Sequence, residues 1–352
     1  MNAGTGGGGG VAVSSPAALT ASSEVTATIP AVPRQAPAAF TVVKSDLDTR
    51  EYRFVRMDNG LEVRPSGGGS ATAAACMSIK AGHMQDPWPL AGLAHFHEHC
   101  VFLGTEKFSE EGEYERYLTE HGGSSNAYTA VEDTAYFFDV SADHLEGALD
   151  RFAQFFQCPL FSPSAIEREL RAVDSEHANN RQDDTWRLFQ VLKSTADPRH
   201  PFSNFGSGDQ STLEPRSGVD TRRELIRFHE RRVSPITGVL LSVLGKESLD
   251  ELEAMVRRHF SGVRSGAPGE VAAAAAGLPG TLSAAAARLW VVPLREARKL
   301  ILQWPLPPRS TTRRARPELY IAHLLGHESE GSLHALLTAR GWATGLTAGS
   351  QV

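Results

Sequence analysis

His95-Phe96-His97-Glu98-His99-Cys100-Val101-Phe102-Leu103-Gly104-Thr105 is the stretch from which the rest of the chain can be read. On a helix, at about 100° per residue, His99 lies about 40° from His95 and Glu98 about 60° to the other side, so the three share one face. On a strand, period-2 alternation would instead align His95, His97 and His99, the start of a binuclear metal pattern. That pattern continues as HxHxDH, and here Glu98 comes one place too early. The flanking Leu93, Ala94, Phe96, Phe102 and Leu103 fit a helix better than a strand.

The helical reading has a definite chemistry. Neutral imidazoles suit Zn²⁺, and a catalytic zinc takes three protein ligands and leaves a fourth position for water. A carboxylate beside two histidines can then act as general base and later as acid. HxxEH is the inverted form of a metallopeptidase signature. It implies Glu98 as the base and His95 and His99 as ligands.

A third ligand must come from elsewhere. Ser162-Pro163 reads as a helix start, with Ser162 as cap and Pro163 in the first turn. Along that helix Glu169 and Glu176 are seven residues apart, within about 20° of each other, and Asp183 continues the stripe. Spacing alone leaves open which of them binds metal and whether the row is only a solvated face.

The neighbourhood of the motif resembles one family. Ala91-Gly92-Leu93-Ala94 through Thr105 is similar to the catalytic helix of the insulysin and pitrilysin zinc metallopeptidases, nearest the insulysin and nardilysin branch. The likeness continues through Gly122–Thr129, Tyr136–Val140, Val173-Asp174-Ser175-Glu176-His177 and Trp186–Gln190, and covers roughly residues 40 to 350. The resemblance implies Glu176 as the third ligand of one Zn²⁺ per chain and Glu169 as the carboxylate that steers a bound histidine. It further implies that Asn126 and Ala127 lie on an edge strand to which an extended peptide adds its backbone. The implied fold is α+β, with two-layer domains of mostly antiparallel sheet packed with helices, and the implied reaction is hydrolysis of peptide bonds in peptides or small unfolded polypeptides.

Outside the motif, Asn126 to Val140 reads as a strand pair rich in Tyr and Phe. Arg222 to Val263 reads as helix, strand, helix, with a buried strand from Gly238 to Leu244 and Ser248 capping a helix that ends near Phe260. The arginines at 222, 223, 227, 231 and 232 read as a solvated face. Trp186 and Phe189 are read as core positions on the ligand helix. The Gly-rich Gly67 to Ser70 lacks a phosphate-loop ending and reads as a hairpin loop. Leu289 to Val292 and Leu300 to Trp304 read as strands, and Pro317 to Gly326 and Ser332 to Arg340 as helices.

The expected organisation is a low-complexity disordered tail at 1–38, a catalytic domain at 39–263, an Ala/Gly-rich linker at 264–287, and the truncated start of a second homologous domain at 288–352. A net charge of −6 gives no footprint for nucleic acid. No run is long enough for a membrane span. Three widely spaced cysteines, Cys76, Cys100 and Cys158, imply no disulfide framework and favour the cytoplasm, with an organelle still open. Cys100, beside His99, reads either as a reactive thiol or as a buried inert one. The expected partners are a peptide substrate and either a complementary second-half chain or a second copy. A catalytically silent peptide-binding or partner module is the alternative function.

Overall fold

The computed structural model describes residues 42–216, 218–234, 239–265, 288–306 and 315–350. The expected tail at 1–38 and most of the expected linker lie outside the described residues.

A seven-stranded sheet organises the part that carries the motif. Its strands are β1 (Glu51–Tyr52), β2 (Val55–Arg56), β3 (Glu62–Gly67), β4 (Thr72–Ile79), β5 (Ser124–Thr129), β6 (Thr134–Ser141) and β7 (Leu240–Gly245). The order is β1-β3-β7-β4-β6-β5, and β2 also pairs with β3. The β3–β7 pair is parallel and the others are antiparallel. The Gly67–Ser70 turn is therefore not a hairpin, because β7 is inserted between β3 and β4. That insertion needs a return from more than a hundred residues away, which local turn chemistry cannot reveal.

Period-2 alternation sets the two layers. In β4, Ala73, Ala75, Met77 and Ile79 are buried while Ala74, Cys76 and Ser78 are half-buried. Helices α3 (Leu145–Gln154) and α8 (Leu249–Phe260) cover the buried face, bringing Phe152 within 5.2 Å (ring centroids) of Phe138 and of Phe156. Fully burying such a ring contributes about 1.5–3 kcal/mol. Ser248 accepts from the Glu251 N–H and Glu251 reaches back to Ser248, a complete capping box at the start of α8. The expected two-layer α+β architecture is present, with one parallel pair within the sheet.

Four more helices frame the motif. They are α1 (Leu93–Cys100), α4 (Pro163–Asn180), α5 (Asp184–Ser194) and α7 (Thr221–Phe228); α2 (Glu113–Glu120) and the short α6 (Gln210–Leu213) complete the set around the sheet. The motif is a helix, so the strand reading of the three histidines is overturned. Helix α4 begins at Pro163 with Ser162 in the cap position, but the Ser162 side chain makes no capping hydrogen bond, and the helix stops at Asn180. Asp183 instead caps α5, accepting from the N–H groups of Thr185 and Trp186. It therefore does not continue the carboxylate row of α4. Trp186 and Phe189 also belong to α5 rather than to the ligand helix, and Trp186 is 48% exposed, not core.

Toward the end of the chain, helices Pro317–Leu325 and Leu333–Ala339 form where expected. Leu289–Val292 and Leu300–Trp304 make no ladder among the described residues, so these apolar runs are extended chain rather than strands. Strand-like composition does not make a strand without a partner edge.

Candidate metal centre

Helix α1 presents its chemistry through local sequence. Leu93, Ala94, Phe96 and Cys100 are buried and anchor the helix, which turns His95, Glu98 and His99 toward a cavity of about 1330 Å³. His97 points the other way. It is 1% exposed, stacks on His229 and lies 3.1 Å (Nε2 to Nδ1) from it. The helix geometry thus separates the third histidine from the other two.

Glu176, on α4, meets the two histidines at one point. His95 Nε2 and His99 Nε2 are 3.3 Å apart, and Glu176 Oε2 lies 3.6 Å from the first and 3.5 Å from the second. These are the edges expected of three ligands of a tetrahedral centre with bonds of about 2.0–2.2 Å. Among the described residues this is the group of three that could hold a metal ion.

Each donor is oriented by a further contact. His95 Nδ1 donates to the backbone oxygen of Ser207 at 2.6 Å, and His99 Nδ1 donates to Glu169 Oε1 at 2.7 Å. With a metal in place, protons at both Nδ1 positions would leave both Nε2 lone pairs for it, the tautomers a metal needs. Asn180 Nδ2 approaches the other Glu176 oxygen, Oε1, at 3.4 Å from one turn further along α4.

The electrostatics favour a cation here. Burial pushes the His99 imidazole down, but hydrogen bonds to Glu169 and Glu176 outweigh it and hold the group up at about 9. The Glu176 carboxyl is held below its ordinary value, first by His99. Geometry, tautomers and charge all fit a divalent metal of the borderline kind that takes imidazole and carboxylate.

Glu98 is 7% exposed, and its Oε2 accepts from Thr129 Oγ1 at 2.5 Å. Burial raises its carboxyl, opposed by the Thr129 hydrogen bond and the nearby histidines. A raised carboxyl is the tuning a proton shuttle requires.

Strand β5 forms one wall of the cavity and is the last strand of the sheet. The Ala127 N–H faces outward and donates to Asn126 Oδ1 at 2.9 Å. Trp186 and Phe205 contribute aromatic surface to the same cavity. Cys100 is 1% exposed, and burial pushes its thiol well up, which makes it the inert of the two readings.

Sequence reading brought together His95, Glu98, His99, Glu169 and Glu176, and the structure gathers all five. It missed Ser207, Thr129 and Asn180. Ser207 acts through a backbone carbonyl 112 positions away, for which no side-chain signal exists. Asn180, four residues after Glu176, could have been found by helical spacing.

Two family models match the chain. "Insulinase (Peptidase family M16)" matches residues 66–199 and "Peptidase M16 inactive domain" matches 221–352. Insulin-degrading enzyme of Bos taurus is 43% identical over 315 residues, covering 88% of this chain and 30% of that protein. Insulin-degrading enzyme-like 1, peroxisomal, of Arabidopsis thaliana is 44% identical over 312 residues, covering 88% and 32%. The crystal structure of pitrilysin superposes with a TM-score of 0.73 at 27% identity, covering 90% of this chain and 34% of that one. The chain spans about 30% of the length of the first of these relatives. With both models matched in order and a pitrilysin-like fold around the HxxEH helix, the chain belongs to the insulinase family, peptidase family M16.

Proposed function

We propose that the protein is a zinc-dependent metalloendopeptidase acting on peptides or small unfolded polypeptides, with His95, His99 and Glu176 as the ligands of one zinc per chain. The observation that carries this reading is the meeting of three donor atoms from α1 and α4 with Glu98 on the same helix face. Zinc held there supplies Lewis acidity toward a peptide carbonyl and lowers the pKa of water to about 7.

The chain's own groups do the rest. Glu98 takes the proton from water at Oε1, since Oε2 is engaged by Thr129, and returns it to the leaving amine. Glu169 keeps His99 in the ligating tautomer. An extended peptide adds to β5, its carbonyl replacing Asn126 Oδ1 as acceptor for the Ala127 N–H. Backbone pairing of this kind selects for flexible chains rather than for one side chain. The three thiols remain the support for reading the cytoplasm as its compartment.

The test is cleavage of a quenched fluorogenic peptide by zinc-loaded protein beside Glu98→Gln. Cleavage by the wild type, absent in a variant that keeps its zinc, is expected. Equal cleavage by both would contradict the reading.

A second reading keeps zinc and peptide binding but makes turnover depend on a complementary chain or a second copy. Exposed Trp290, Val292, Leu300, Trp304, Tyr320 and Trp342 favour it, because so much apolar surface is unusual without a partner. Turnover proportional to chain concentration down to the nanomolar range would argue against it.

A further inference from the structure

Helix α1 begins after Gly92, which has no side chain with which to cap it. The cap comes from upstream. Asp86 accepts the Gly92 N–H through Oδ2 at 2.7 Å and the Ala94 N–H through Oδ1 at 2.8 Å. Anionic caps of this kind complement the helix dipole. Asp86 is only 9% exposed, and burial pushes its carboxyl up to about 8.

Lys193 lies nearby in the interior. It sits on α5 at 1% exposure and donates from Nζ to His83 Nε2 at 3.1 Å. A lysine this buried is rare unless its charge is used. His83, 5% exposed, packs its ring against Gly206, where even a Cβ would come within 2.6 Å of the ring. The next residue is Ser207, whose carbonyl orients His95. A line of contact therefore runs from the ammonium group to the metal helix.

We infer that Lys193 is a positioning residue for the metal centre: it acts through His83 and Gly206 on the Ser207 carbonyl that aims His95. The inference rests on the proposed zinc site. It also ties α5, whose Trp186 and Gln190 face the cavity, to the placement of the ligands.

The test is zinc affinity, by competition with a chromogenic chelator, for wild type, Lys193→Met, His83→Phe and the double variant. The visible spectrum of the Co²⁺-loaded forms is recorded beside it. Contacts that orient ligands typically contribute 10–100-fold in metal affinity. Lys193→Met is expected to lose at least tenfold and to change the Co²⁺ bands, which a simple loss of fold stability would not do. The double variant is expected to lie within threefold of His83→Phe, because Lys193 acts through His83.

Should Lys193→Met alone not fold, the comparison of His83→Phe with the double variant still decides. A further tenfold loss between those two would overturn the inference. So would a folded Lys193→Met that binds zinc like the wild type. A wild type that takes up no zinc would instead overturn the site itself and the inference with it.

Discussion

His99 Nδ1 lies 2.7 Å from Glu169 Oε1, a contact between α1 and α4 across 70 positions of the chain. It keeps the proton on Nδ1 and turns Nε2 toward His95 and Glu176. Glu169→Gln keeps an acceptor but removes the charge. The expected result is zinc affinity about tenfold weaker, with the larger loss, toward about 100-fold, in Glu169→Ala. Chelator competition measures both.

Glu98 is assigned to proton transfer, not to holding metal. Glu98→Gln should therefore retain zinc and lose about 10²–10⁴ in kcat. Thr129→Val, which removes the hydroxyl from Glu98 Oε2, should lose much less. Metal analysis and steady-state kinetics on the same preparations separate the two effects.

At the sheet edge, Ala127→Pro removes the outward N–H. Proline is tolerated on an edge strand where the lost donor makes no ladder bond. One main-chain hydrogen bond contributes about 0.5–1.5 kcal/mol, so KM for a peptide should rise about 2- to 10-fold with zinc affinity unchanged. An unchanged KM would remove β5 as the docking edge.

Phe152 joins α3 to the sheet and is fully buried among Phe138, Phe155, Phe156 and Phe260. Phe152→Ala should destabilise by about 3–5 kcal/mol, measured as a lower urea midpoint at constant slope.

His229 gives the pH dependence of stability a sign. Burial, with Arg264 adding repulsion, pushes its imidazole from 6.5 down to about 4. It is packed against His97 of α1 and Phe161, and its Nε2 has no partner; Tyr136 of β6 lies on the far side of His97. Between pH 6.5 and 4 the unfolded state binds the proton that the folded state refuses. Stability should therefore fall with falling pH over that window, by at most about 1.4 kcal/mol per pH unit from this group. Urea unfolding from pH 7 to 4.5 should show a shallower slope in His229→Asn.

Much of the site was legible because helices translate spacing into direction. His95, Glu98 and His99 share a face by arithmetic; the seven-residue interval aligned Glu169 with Glu176 on one face of another helix, and the family resemblance, not the spacing, implied their roles. Asp183 was misread because a second seven-residue step assumes that the helix continues, whereas Asp183 uses its carboxylate to start another. The sheet was legible as strands but not as an order. Nothing local in Leu240–Gly245 says that it inserts between β3 and β4. Trp186 looked like core because aromatic spacing does not distinguish a packed face from a cavity wall. Asp86, Lys193 and Ser207 were invisible for a related reason: their roles depend on long-range contacts that one chain's spacing does not encode.

The most direct measurement is titration of metal-free protein with zinc, by calorimetry, beside Glu176→Ala. The expected result is one tight site per chain in the wild type and a loss of about 100-fold or more in the variant. Tight zinc binding that survives the removal of Glu176, or a wild type that takes up no stoichiometric zinc, would contradict the account.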